Sequence, residues 1–202
     1  MQTTLPDTAA PPGKAAALAG LAVSLALGYL ALNQRLPAPP AQGSGEVMTL
    51  TPCNMEPPGY WTGHIFGATT LEVNWRGAAL ACAGDARPDG RGLRLFLAGR
   101  PGAGSDRLLM VLGIAAGIDD LPGGEHAVSV TLLDEASSRF FHAATGRCFT
   151  RIGSVTPLAA PAHSYRVEGD LYCSGAIGSV TGDGSVTLGD MAYAVRLTLD
   201  PG

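Results

Sequence analysis

The side chains able to do chemistry in this 202-residue chain are few: 4 cysteines, 4 histidines and 17 acidic residues, several of them adjacent. The histidines, His64, His126, His142 and His163, are widely spaced. A blue-copper site needs Cys, His and Met close together, and Cys173 has no such neighbours. His142 stands six residues before Cys148, which fits no usual metal-ligand spacing. Asp119-Asp120 and Asp134-Glu135 have the look of acid–base couples for glycoside chemistry. Adjacent residues on a strand point to opposite faces, however, so neither pair converges on one substrate atom. Both pairs fall where turns are expected. No G-x-S-x-G is present, and Ser137-Ser138 has no base marked beside it. The chain carries no catalytic constellation and implies no cofactor, which favours a non-enzymatic role.

Ser179–Asp190 reads SVTGDGSVTLGD. It resembles a dockerin-type or EF-hand calcium loop, with Asp183 at position five, Gly184 at six, Val186 at eight and Asp190 at twelve. The resemblance implies Asp183 and Asp190 as calcium ligands. Calcium needs several hard oxygens, and the first position is normally Asp. Here Ser179 and Thr181 occupy positions one and three, and no helices flank the loop. The competing reading is a hairpin in which Asp183-Gly184 supplies the positive-φ turn, and that reading is preferred.

The four cysteines, Cys53, Cys82, Cys148 and Cys173, are better read as a disulfide framework. An even number in a strand-rich domain points to an oxidising compartment. Four cysteines allow three connectivities. The sequential pairing Cys53–Cys82 and Cys148–Cys173 is expected, because each couple brackets one compact group of strands.

These residues hang from a different element. Ala15–Leu32, AAALAGLAVSLALGYLAL, is uncharged, with Lys14 before it and Arg35 after it. At about 1.5 Å per residue, a helix of this length nearly crosses a bilayer core. Residues 1–14 read as a polar tail and 15–32 as a retained transmembrane helix rather than a cleaved signal. The only candidate cleavage region, Ala38-Pro39-Pro40-Ala41, is full of proline. Ala16, Gly20, Ser24 and Gly28 recur every four residues and share one helix face. Small residues let backbones approach, which is how helices associate in lipid, so this stripe is expected to dock on transmembrane helices of other subunits. Residues 33–46, rich in Pro and then Gly and Ser, read as a linker.

Residues 47–202 read as one periplasmic domain. All acidic residues except Asp7 and Glu46 lie in it, as do all basic ones except Lys14 and Arg35, so it is mildly negative. There is no basic patch, which argues against nucleic acid. Strand patterns recur: 47–51, 60–66, 69–75, 78–83, 93–98, 108–114, 127–133, 139–141, 147–152, 165–173 and 191–199. In the last, Met191, Tyr193, Val195, Leu197 and Leu199 alternate with Ala192, Ala194, Arg196 and Thr198, the signature of a half-buried strand. Ser129–Leu132 and Ser185–Leu188, both Ser-Val-Thr-Leu, read as two similar strands. Turn formers such as Arg87-Pro88-Asp89-Gly90 and Pro122-Gly123-Gly124 separate the runs. No helical stripe follows residue 46.

The expected fold is all-β, an antiparallel β-sandwich or barrel of about ten strands, preceded by one N-terminal transmembrane helix. A single lysine among 13 basic residues, with abundant Ala, Gly and Pro, suggests a GC-rich bacterial genome and the inner membrane as the anchoring site. The expected function is that of a single-pass accessory subunit of a membrane complex. The alternative is a tethered binding module for a small ligand, glycan or ion.

Overall fold

The computed structural model describes residues 50–199, all within the compact unit Val47–Gly202. The tail, the helix 15–32 with its Ala16/Gly20/Ser24/Gly28 face, and the linker lie outside the described residues. Among those described, no helix is long and apolar enough to cross a membrane.

The domain is all-β. Its strands are β1 (Thr51–Pro52), β2 (Tyr60–Gly67), β3 (Leu71–Arg76), β4 (Leu80–Ala86), β5 (Leu93–Gly99), β6 (Leu108–Ile114), β7 (Glu125–Asp134), β8 (Arg139–Pro157), β9 (Ser164–Cys173), β10 (Ile177–Gly178) and β11 (Ser185–Thr198). Helical structure among the described residues is limited to two 3-10 turns, Gly77–Ala79 and Ile118–Asp120. All strands join one antiparallel sheet in the order β1-β4-β5-β6-β7-β8-β9-β11-β2-β3, with β10 on the far arm of β11.

That order forces the sheet to curl. β3 ends the sheet and β4 stands near its other end, yet only Gly77–Ala79 joins them. Three residues span about 10 Å at most, so the two ends must come round to each other. The result is a ten-strand half-barrel with a short eleventh strand, one curled sheet rather than two stacked ones. Across its interior β4 packs on β11: a Cβ at Gly84 would sit 3.1 Å from the Leu197 Cα. Gly99 likewise leaves room for the Trp75 ring, which a side chain there would overlap.

Alternation decides which residues fill the interior. β6 shows a strict buried/half-buried alternation, with Leu108, Met110, Leu112 and Ile114 inside. The two Ser-Val-Thr-Leu runs behave alike: Val130, Leu132, Val186 and Leu188 are buried, and the Ser and Thr residues face outward. In β11, Met191, Tyr193, Val195 and Leu197 are buried. Trp61 and Trp75 meet edge to face inside, with centroids 5.2 Å apart. The Tyr193 hydroxyl is buried but satisfied. It lies 2.7 Å from Thr150 Oγ1, which itself donates to the Asp170 carbonyl at 2.9 Å. Tyr193 therefore donates to Thr150, and burial raises its pKa.

The runs 139–141 and 147–152 are one strand, β8. Its partner register slips at Val128/Val130 against β7 and at Ile152/Ser154 against β9. The second is a one-residue bulge at Gly153; the first is larger, with Ala144–Arg147 of β8 opposite only Ser129 of β7, and both reset the alternation without ending the strand. The disulfides are Cys53–Cys82 and Cys148–Cys173. Cys148 and Cys173 face each other across β8 and β9. Cys82 is in β4, and Cys53 follows its partner strand β1, so the first bridge pins the short edge strand.

Candidate functional site

Most chemistry-bearing residues are dispersed. His126 Nε2 lies 3.2 Å from the Leu121 carbonyl, and His142 Nδ1 lies 3.1 Å from Thr131 Oγ1 on the outer face of β7 and β8. His163 occupies a positive-φ turn position. Asp119 and Asp120 sit in the second 3-10 turn. Asp134 and Glu135 diverge. Glu135 pairs with Arg107 at 2.6 Å, and that bond holds its carboxyl below the ordinary range. Asp134 accepts bonds from Thr69 at 2.8 Å, Ser137 at 2.7 Å and the Ala136 N–H at 3.1 Å. Burial pushes its pKa up, but these donors outweigh burial and hold it low.

The calcium-loop candidates part company as well. Ser179 donates its N–H to the Gly184 carbonyl, and Gly178 pairs Ser185, so residues 179–184 close a hairpin with Gly184 at φ 110°. Asp183 stands at the tip. Asp190 follows the extended run Ser185–Gly189, about 13 Å of strand. The two carboxylates belong to different places.

Asp190 is nonetheless the most informative of them. β11 pairs β2 in regular register from Val186↔Gly67 to Gly189↔His64, then resumes one residue out of step at Ala192↔Thr62. Asp190 and Met191 together oppose Gly63. Asp190 adopts φ 49° and Gly63 φ 139°. The bulge sends the two side chains opposite ways. Met191 goes inside, where its sulfur accepts the Trp61 indole N–H at 3.4 Å. Asp190 goes outside. Gly63 is required here: a Cβ would lie 2.7 Å from the Met191 sulfur and 2.9 Å from the Asp190 carbonyl oxygen.

Outside, Asp190 joins Thr62 and His64 of β2 and Glu72, Asn74 and Arg76 of β3 around an open cleft of about 310 Å³. Cross-strand register sets the layout, with His64 opposite Glu72 and Thr62 opposite Asn74. Among the described residues none of Glu72, Arg76 and Asp190 has an ion-pair partner. The His64 ring stacks on Phe66 at 5.8 Å, and Phe66 is half exposed.

Behind Arg76 lies a rigid support. Its guanidinium is 5.2 Å above the Tyr60 ring, and that of Arg166 is 5.9 Å from the same ring. Buried Arg166 donates to the Pro57 and Pro58 carbonyls at 2.7 and 3.1 Å and pairs with Glu168 at 3.3 Å. The Tyr60 hydroxyl donates to Glu168 at 2.6 Å. Burial first, and then Glu168, push the Tyr60 pKa up to about 12.

One imidazole, two carboxylates, one guanidinium and one amide on a firm floor can recognise a polar partner carrying both charges or several hydroxyls. Strand patterning alone did not group them. The signal was present as a phase change: the apolar positions run even at Val186 and Leu188, then odd from Met191. Comparison with known protein families, with curated proteins and with solved structures finds no match to this chain.

Proposed function

We propose that this chain is a non-enzymatic, membrane-anchored accessory subunit of a larger bacterial membrane complex, with its β domain in the periplasm. Two disulfides accord with an oxidising, extracytoplasmic compartment. The observation that carries the reading is the division of labour in the sheet. The interior is occupied by side chains such as Trp61, Met110, Phe141 and Tyr193, so the outer surface is left to meet a partner. On that surface a strained, non-glycine bulge turns Asp190 into a cleft of unpaired charges. Strain of this kind is kept where the surroundings impose it, often at functional sites.

The anchor supplies the second contact in this proposal. Mild-detergent extraction of tagged protein from its native membrane should bring partner subunits with it. Gly20→Leu or Gly28→Leu puts bulk where helices would meet and should release the partners. Leu21→Ile and Leu25→Ile should be silent. Equal retention of both classes would leave the helix as a tether alone. The alternative, a tethered module for a small polar ligand or glycan, is favoured by the half-exposed Phe66 and the stacked His64 beside the cleft. Asp190→Asn separates the two. It keeps a residue that tolerates positive φ but removes the charge. Ligand capture should fail in this variant if the module reading holds, while complex assembly through the helix persists.

A further inference from the structure

We propose that the free edge of β3 pairs with β3 of a second copy of this chain, joining two half-barrels through one continuous antiparallel sheet. Among the described residues β3 ends the strand order, and β2 is the one strand paired with it. Which of its backbone groups point away follows from two in-register bonds. Gly77 N–H bonds the Gly59 carbonyl, and Ala68 N–H bonds the Ser185 carbonyl. Hydrogen-bonded pairs alternate along an antiparallel ladder. Tracing from each bond gives the same answer: odd residues of β2 bond β3, and even ones bond β11. Leu71, Val73 and Trp75 are therefore bonded to β2. The N–H and C=O groups of Glu72, Asn74 and Arg76 face out of the sheet, and all three residues are exposed.

Natural edges are blunted by shortness, by charged side chains, by proline, a bulge, an inward charge or a covering segment, and of these β3 carries outward charges, Glu72 and Arg76. β3 has neither proline nor bulge, and its register with β2 is unbroken from Leu71 to Arg76. Its inward residues are Leu71, Val73 and Trp75. What it has instead is a self-complementary order. If two copies pair antiparallel about Asn74, Glu72 of each lies opposite Arg76 of the other, and Asn74 opposite Asn74. The outward-facing groups are then those that bond, with two bonds exchanged at each of the three pairs. Neither Glu72 nor Arg76 has an ion-pair partner within the described chain, so the pairing would supply one to each. A two-fold interface needs such self-complementarity.

The test is sedimentation equilibrium of the purified full chain in density-matched mild detergent, over a range of concentrations. The wild type should dimerise. Glu72→Arg alone sets like charges against each other at both symmetric pairs and should weaken the dimer about 10-fold or more. Glu72→Arg with Arg76→Glu restores the order in reverse and should recover it. Asn74→Pro removes an N–H that β2 does not use, so it should give a folded monomer whose melting temperature matches that of the wild type diluted below its dimerisation range. Asn74→Cys should cross-link copies under mild oxidation, because facing residues of a bonded pair lie about 5.5 Å apart, within disulfide reach. A wild type that stays monomeric overturns the proposal. A dimer indifferent to Glu72→Arg and Asn74→Pro overturns it as well, and places the contact elsewhere, such as on the small-residue helix face.

Discussion

Gly63→Ala tests the bulge most directly. Two costs arise together. Alanine must take φ 139°, outside the ordinary regions for an L side chain, at about 1–3 kcal/mol. Its methyl would also sit 2.9 Å from both the Asp190 carbonyl oxygen and the Met191 Cα, backbone atoms that cannot swing aside. Overpacking of this sort costs about 1–3 kcal/mol. The expected loss is roughly 3–4 kcal/mol, a large part of the ~5–15 kcal/mol that holds a domain together. The assay is urea unfolding followed by fluorescence, since both tryptophans, Trp61 and Trp75, meet edge to face in the core beside this point. Gly182→Ala, in open space at the hairpin, is the control and should change stability by less than about 0.5 kcal/mol. The sharper measurement is a cycle with deletion of Asp190. Without Asp190 the β2–β11 register becomes continuous, because Met191 alone then faces Gly63 between the pairs Gly189↔His64 and Ala192↔Thr62. Met191 and Tyr193 stay inside, and Gly63 no longer faces two residues. Gly63→Ala should then cost at least ~2 kcal/mol less than in the wild type. An equal cost in both backgrounds would refute the account of Gly63 as the partner of the bulge.

Three further outcomes are expected. Removing either disulfide by Cys→Ser at both positions should cost ~3–4 kcal/mol in the chain-entropy account, since the sequence separations of 25 and 29 are similar; urea midpoints of the two double mutants check it. Tyr60 should titrate near pH 12, against about 10 for a free tyrosine, in NMR of ring-labelled protein. Its folded pKa is raised, so its contribution to stability is complete below about pH 10 and is lost as pH rises toward 12; Glu168→Gln should lower the pKa, with burial keeping it above 10. Thr69→Val removes one donor from Asp134, whose folded pKa is depressed; stability from this group is present above the ordinary carboxylate range and lost in acid, and the variant should move that loss to higher pH in acid-unfolding curves.

Much of the domain was legible because its strands obey a period of two. β6 and the carboxyl half of β11 are located almost to the residue by apolar alternation, and Cys148 and Cys173 fall at facing positions of neighbouring strands. The features that escaped are those where alternation breaks and recovers. β8 divides into two runs on paper because Phe141 and Ala143 are odd-numbered while Cys148, Thr150 and Ile152 are even; the bulge between them is what makes one strand of two phases. The choice between a sandwich and a curled barrel was illegible for another reason. It follows from a three-residue connection between strands at opposite ends of the sheet, and pairing order is a long-range property that no local window contains. Arg166 escaped too. On strand patterning it belongs with the outward residues, yet it is buried because the Pro57 and Pro58 carbonyls and Glu168 satisfy its donors.

The phase change at Asp190 also bears on why the cleft is there at all. A chain selected only for a filled interior would gain nothing from the extra residue, since Val186, Leu188, Met191, Tyr193, Val195 and Leu197 would all point inward in one continuous alternation without it. The residue brings a left-handed backbone at Asp190, and it obliges Gly63 to stay bare, both of which cost stability. What it adds lies wholly on the outside: a carboxylate directed toward His64, Glu72 and Arg76 on a sheet face that would otherwise present only regular strand residues. The core explains where Met191 goes but not why Asp190 stands before it. The outer surface offers a reason, and the cleft on the β2–β3–β11 face is accordingly where the proposed recognition would act.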